Sequence, residues 1–238
     1  MRIKTAMILA AGRGVRMREL TDETPKPLLK VQGREMINHI TDRITSYGIS
    51  DIVVNTCYKG EMIKKALSER TDARFIFSDE ETALETGGGV KKALPLLLNK
   101  GGKNGFFVLN GDPLWTEPSE SLMQKMADAW HPDEMDILLA IAPMSASRGD
   151  IQKGNYFIEN GRLRRIRPDE QIAPYFFMSV QIMHPRVFKN APDGPFSSRD
   201  LYDIAQSKGR LAHIIHDGIW FNLNTPEALA VAQEQYHP

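Results

Sequence analysis

Five short apolar runs recur along the first 142 residues: Thr5–Leu9, Asp51–Asn55, Arg74–Ser78, Gly105–Leu109 and Asp136–Ala142. Between them lie stretches with helical spacing, at about Glu35–Tyr47, Lys59–Glu69, Gly87–Leu98 and Ser119–Ala129. In the first of these, Ile37, Ile40, Ile44 and Tyr47 fall three or four apart, which lines one face of a helix. Repeated strand–helix–strand units predict an α/β core, a mainly parallel central sheet sandwiched by helices. After Ala142 the rhythm changes to short β-like runs, Tyr156–Glu159, Leu163–Ile166, Phe176–Met183 and Leu211–Ile215. "ENGR" (Glu159–Arg162) holds an Asn-Gly turn, so the first two runs are expected to form a hairpin. These runs predict a small antiparallel insertion in the C-terminal half. Helices are expected over Ser198–Ser207 and Asn224–Gln235, the latter capped by Thr225 with Pro226 at its first position. No Ser- or Gly-rich linker divides the chain, so residues 1–238 read as one domain, with a core over 1–142 and a second part over 143–238.

Composition narrows the partners. Lys plus Arg and Asp plus Glu both number 30, so no net charge draws the chain to nucleic acid or an acidic membrane. Any anion site must be local. The single cysteine, Cys57, rules out an internal disulfide framework and fits a reducing, cytoplasmic setting. Its plain reading is a small apolar residue at a strand end. The apolar run Ala6–Ala11 is too short for a signal peptide, and no segment approaches membrane-spanning length. His131, His184, His213 and His216 fall at no metal-binding spacing, and Ser197-Ser198 sits in no nucleophile elbow.

The chemistry gathers in "LAAGRGVRMRELTDETPKPLL" (Leu9–Leu29), directly after the first strand. Gly12 and Gly14 leave the backbone bare, so its N–H groups can approach and cradle phosphate. The third glycine of a dinucleotide fingerprint is missing, since Met17 stands there, and no Gly-Lys-Ser/Thr follows. Two glycines alone fit a tight turn equally well. Arg16 and Lys26 shift the balance, because Pro25 and Pro27 fix the backbone on both sides of Lys26. That suits a positioned cation better than a solvated one. A second glycine cluster, "ETGGGV" (Glu85–Val90), precedes a helix and fits either close approach of a flat ligand or a flexible helix entry. "LNGD" (Leu109–Asp112) ends an apolar strand, and a carboxylate at such a tip points into the crevice where open α/β sheets bind ligands.

The first of these stretches resembles the signature of sugar-nucleotide-forming nucleotidyltransferases, L-A-A-G-x-G-x-R-M-x-P-L-T…P-K-P-L. Residues Leu9–Leu28 match it except at Glu19, where the family usually has proline. The resemblance extends to "LETGGGVKKAL" (Leu84–Leu94), to "LNGD" and, less closely, to "WFNLNTPEAL" (Trp220–Leu229). It implies a Rossmann-like fold in which residues 1–142 bind a nucleoside triphosphate and 143–238 bind a sugar 1-phosphate. It implies nucleotide contacts at Leu9, Ala11, Gly12, Gly14, Glu85, Thr86, Gly87 and Gly88, with Asn55 a weaker candidate for the base pocket. The resemblance likewise implies catalytic roles for Arg16, Lys26 and Asp112, and a place toward the sugar phosphate for Asn110. Magnesium is the implied cofactor, on Asp112 and on the position of Asn222. There the family's W-x-D-x-G-T has become Trp220-Phe221-Asn222-Leu223-Asn224-Thr225, so an uncharged amide replaces the second carboxylate. Arg167 stands where a Glu-Lys-Pro lysine usually meets the sugar phosphate, with a surface basic run as the competing reading. Ser179 stands where glycine is usual.

Within the family, "LETGGG" and the chain length look most like N-acetylmuramate 1-phosphate uridylyltransferases of cell-wall recycling, which use UTP. Mannose 1-phosphate guanylyltransferases, which use GTP, are also similar. A sugar-nucleotide-binding relative with weakened turnover is the alternative of another class. The expected partners are an NTP and a sugar 1-phosphate, with no nucleic acid and no membrane, in a monomer or small homo-oligomer.

Overall fold

The computed structural model describes residues 2–237. In chain order the elements are β1 (Ala6–Leu9), α1 (Leu20–Glu23), β2 (Lys30–Val31), β3 (Arg34–Glu35), α2 (Met36–Tyr47), β4 (Asp51–Thr56), α3 (Gly60–Ser68), β5 (Arg74–Asp79), α4 (Glu85–Asn99), β6 (Phe106–Asn110), β7 (Leu114–Trp115) and α5 (Leu122–Ala129). They continue with β8 (Ile137–Pro143), β9 (Ser147–Gly149), β10 (Tyr156–Glu159), β11 (Arg162–Arg165), β12 (Tyr175–Met183), α6 (Ser198–Ser207), β13 (Leu211–Ile215), β14 (Trp220–Asn222) and α7 (Pro226–Gln235).

The main sheet runs β5-β4-β1-β6-β12-β8-β13. β12 is antiparallel to both neighbours, and the other six strands share one direction. The β10–β11 hairpin joins it through Tyr156 opposite Tyr175. Its turn is Asn160-Gly161, both at positive φ, as an Asn-Gly hairpin requires. The antiparallel insertion foreseen from the sequence is therefore only this hairpin. β12 and β13, expected with it, belong to the main sheet, where β12 links the two halves of the chain by pairing with β6.

Alternation along the strands builds a core on each face. Ala6 and Ile8 of β1 and Ile52 and Val54 of β4 pack with Ile37, Ile40 and Ile44 of α2, Ile63 and Leu67 of α3, and Met123 and Met126 of α5. Met7 and Val53 face the other way, onto Val90, Ala93 and Leu97 of α4 and Leu201, Tyr202 and Ala205 of α6. Each fully buried aliphatic side chain contributes roughly 1.5–3 kcal/mol of burial. α2 stops at Gly48, whose φ of 98° lets its N–H reach the carbonyls of Ile44 and Thr45. α7 is capped as expected, with Ala228 N–H donating to Thr225 Oγ1 at 3.2 Å. It packs with the β2–β3 hairpin, β7 and β14 in a third cluster that includes Val31, Leu114, Phe221, Ala232 and Tyr236. This packing brings Asn222, at the end of β14, and Asn224 just beyond it to the cleft that Leu9 and Asn110, the last residues of β1 and β6, also line. Among the described residues no helix is long and apolar enough to cross a membrane.

Candidate active site

Beyond β1 the chain turns outward through Ala10–Met17. Ala10 N–H donates to Asn55 Oδ1 at 2.9 Å, which ties the start of the loop to β4. Gly12 is exposed, and a Cβ there would meet nothing within 4 Å, leaving space against the bare backbone. Gly14 is different. Its φ is 69°, and a Cβ would stand 2.8 Å from Lys26 Cβ, so glycine is what lets the loop lie across the lysine stem. Pro25 is extended, and Lys26 opens a short 3-10 turn to Leu28. The Lys26 side chain is 9% exposed, and its ammonium bonds Asp112 Oδ2 and, at 3.1 Å, Asn224 Oδ1.

Asp112 stands just past β6. Gly111 N–H donates to Leu9 O at 2.9 Å, and a Cβ on Gly111 would press on Leu9 O and Pro27 Cγ, each at 3.2 Å. Asp112 is thereby locked beside the first loop. A polar chain continues from Lys26, as Asn224 Nδ2 donates to Asn222 Oδ1 (2.6 Å) and Asn222 Nδ2 donates to Asp150 O (2.8 Å). The Asp150 carboxylate is 3.5 Å from Arg16 Nη1, across the cleft.

Two cavities meet at this point. The smaller, about 300 Å³, is lined by Ala11, Gly12, Gly14, Lys26, Asn55 and Glu80 among others. The larger, about 620 Å³, lies against β12, β14 and the start of α6. Leu9, Arg16, Glu85, Thr86, Asn110 and Asp112 line both, so they form one continuous cleft. Asn222 lines the larger part.

Three expected contacts lie elsewhere. Gly87 and Gly88 are inside α4 and buried, with their N–H groups donating to Phe196 O at 2.9 and 3.1 Å. A Cβ on Gly87 would fall 2.3 Å from Phe196 Cε2, and one on Gly88 2.4 Å from Gly194 O. Their bareness serves a close approach of the chain to itself. Arg167 is exposed, lines neither cavity, and its N–H donates to Glu170 Oε2 at 2.7 Å. Asn55 lines the smaller cavity but is 2% exposed, with its amide committed to Ala10 N–H and to Glu80 Oε1 (2.7 Å). Glu80 in turn accepts Leu84 N–H at 2.9 Å. The pair therefore positions the loop leading to Glu85, which itself sits at a φ of 57°.

The sequence reading missed Glu80, Asp150, Lys153, Asn155, Gln181, Ser198, Arg199 and Tyr202 as cleft residues. Ser179 carried a signal. It takes a φ of 61° where the β12–β8 register shifts between Phe177 and Gln181, a left-handed position at which glycine is unstrained.

No histidine among the described residues lines either cavity. Burial, with the Glu80 carboxylate nearby, pushes the Cys57 thiol above its ordinary value, so it stays protonated. Burial likewise raises the Tyr202 phenol. The cleft thus offers the Arg16 and Lys26 cations and the carboxylates of Asp112, Asp150, Glu80 and Glu85, with no histidine among the described residues to serve as a base. Among the described residues no three His, Cys, Asp or Glu side chains gather to hold a metal by themselves. Asp112 and the Asn222 amide are both oxygen donors, which fit a hard divalent cation completed by substrate phosphates.

Comparison with known proteins agrees with this geometry. The chain matches the MobA-like NTP transferase domain over residues 6–190. It is 36% identical over 235 residues to N-acetylmuramate alpha-1-phosphate uridylyltransferase of Caulobacter vibrioides, covering 97% of this chain and 96% of that one. A mannose-1-phosphate guanyltransferase of Aspergillus fumigatus is 29% identical over 93% of this chain and 61% of its own length. The crystal structure of HddC from Yersinia pseudotuberculosis complexed with GMP-PN shares the fold, at a TM-score of 0.77 and 18% identity over 99% of this chain and 100% of that one. With its glycine loop, braced lysine and strand-tip aspartate along one cleft, the chain belongs to the MobA-like NTP transferase family, the nucleotidyltransferases.

Proposed function

We propose that the whole chain acts as one transferase domain that joins UTP to N-acetylmuramate α-1-phosphate, releasing pyrophosphate. The carrying observation is the continuity of the cleft, with Lys26 and Asp112 at the junction of its two parts. The triphosphate lies along Gly12 and Gly14 in the smaller part, and the sugar phosphate enters from the larger. An oxygen of the sugar phosphate attacks the α-phosphorus, the bond from that phosphorus to the bridging oxygen breaks, and pyrophosphate leaves in line. The nucleophile is already anionic near neutral pH, so the reaction needs alignment and charge neutralisation rather than a general base. Lys26 neutralises the phosphates at the reacting end, and Arg16 swings from Asp150 to the leaving pyrophosphate. Asp112, with the Asn222 amide oxygen, would hold Mg²⁺, which would supply Lewis-acid withdrawal of charge from the phosphates. The choice of UTP and of this sugar rests on the similarity to the uridylyltransferase of Caulobacter vibrioides, over nearly the full length of both chains. The same reading puts the protein in the cytoplasm, in the recycling of cell-wall sugar.

The test is pyrophosphate release with four NTPs against a panel of sugar 1-phosphates. UTP with N-acetylmuramate 1-phosphate is expected to give the highest kcat/KM. A preference for GTP with mannose 1-phosphate overturns the assignment in favour of the guanylyltransferases. No release with any pair leaves a binding protein. Lys26→Met is expected to lower kcat by about a hundredfold or more, as loss of one preorganised charge-stabilising donor does.

A further inference from the structure

We propose that Arg199, at the start of α6, reads a carboxylate on the sugar and so selects N-acetylmuramate 1-phosphate over N-acetylglucosamine 1-phosphate. The two sugars differ by a lactyl ether that ends in a carboxylate. The inference rests on the function proposed above and adds the residue that enforces it.

The larger cavity has cations of its own. Lys153 and Arg199 line it and do not line the smaller part. Lys26 is paired with Asp112, and Arg16 with Asp150. Among the described residues the ion pairs of this cleft are those of Arg16 and Lys26, and neither Arg199 nor Lys153 takes part in one. The proposed sugar brings two anionic groups. Its phosphate must sit at the junction, beside Lys26, because it reacts there. Its carboxylate is left to another part of the larger cavity's wall, which Arg199 and Ser198 line.

On that wall Ser198, 2% exposed, has a hydroxyl without a hydrogen bond of ordinary geometry among the described residues, although the Tyr202 phenol lies beside it. Ser198 and Tyr202 both line the cavity. An unmet buried polar group is unfavourable unless a ligand or water satisfies it. The first amides of α6 are already used, since Ser198 N–H donates to Thr86 Oγ1 (2.9 Å) and Arg199 N–H to Ser197 Oγ (3.3 Å). The donors left for an anion are therefore side chains, the Ser198 hydroxyl and the Arg199 guanidinium. The positive end of the ten-residue α6 favours an anion at this place. A guanidinium matches a carboxylate with two parallel hydrogen bonds, whereas the Lys153 ammonium is a point charge.

Arg199→Gln and Arg199→Lys test this, with UTP and each of the two sugar phosphates. For Arg199→Gln, kcat/KM for N-acetylmuramate 1-phosphate is expected to fall about tenfold to a hundredfold, mainly through KM, as loss of hydrogen bonds to a charged group does. The ratio of specificity constants for the two sugars should collapse toward one, and Arg199→Lys should recover part of it. A matched loss on both sugars overturns the assignment, as does an unchanged ratio. So does a collapse seen with Lys153→Gln in place of Arg199→Gln. Failure of the wild-type protein to use N-acetylmuramate 1-phosphate is distinct from these, since it removes the functional reading together with this one.

Discussion

Asn222 shows how much one atom decides. Its Nδ2 donates to the Asp150 carbonyl and its Oδ1 accepts from Asn224, whose own oxygen faces Lys26. The amide thus adds a hydrogen bond to the Asp150 carbonyl that a carboxylate in the same place could not donate. Asn222→Asp would set a charged oxygen against the Asp150 carbonyl and add negative charge near Asp112. With metal and UTP present, the added charge should bind the cation more tightly. Half-maximal Mg²⁺ in a pyrophosphate-release assay is expected to fall several-fold. Without metal, loss of the donor should lower stability by about 1–3 kcal/mol, visible as a lower Tm. A Mg²⁺ titration that overlays the wild type would remove Asn222 from the cation site.

Among the elements, α4 carries the clearest lesson about glycine. Three consecutive glycines read either as a place where backbone meets ligand or as a flexible helix entry. Gly87 and Gly88 instead admit the segment Gly194–Phe196, which runs into α6. The physical device is the same, a missing Cβ that permits close approach. Only the partner differs, and a partner more than 100 residues along the chain is invisible to local spacing. Through Thr86 and Ser198 this contact also ties the start of α4 to the start of α6 at the wall of the cleft. Gly88→Ala is expected to cost about 1–3 kcal/mol, since its Cβ would meet a backbone oxygen that cannot rotate away. Thermal unfolding should show a drop of several degrees. An unchanged Tm would mean that the α4–α6 contact yields without penalty.

For the whole molecule the test is acid. Burial, together with the Arg186 and Arg210 cations and against the pull of Asp136 and Asp133, lowers the His184 pKa to about 4. Geometry agrees, because His184 Nδ1 accepts Arg186 N–H at 3.1 Å and must be unprotonated to do so. Burial also lowers His213 and His216. The unfolded chain takes up these protons near the ordinary histidine pKa of about 6.5, whereas the folded chain resists. Stability is therefore full above that pH and declines as pH falls from about 6.5 toward 4. Denaturant unfolding at stepped pH measures the slope. His184→Asn, which keeps a side-chain acceptor for Arg186, should flatten it, and an unaltered slope would exclude His184 as a source.

The sequence by itself determined what lies within a strand or just past its end. The alternation of strands and helices, the loop over Gly12 and Gly14, the braced Lys26 and the strand-tip Asp112 were legible because periodicity and chain connection place them. Tertiary structure alone decided which remote segments close over those tips. It turned Arg167 to solvent and Arg199 into the cleft, set β12 within the main sheet, and committed Asn55 to the loop it supports. Those outcomes depend on packing between segments far apart in the chain, where burial and shape choose the neighbour and local residue spacing carries no record of it.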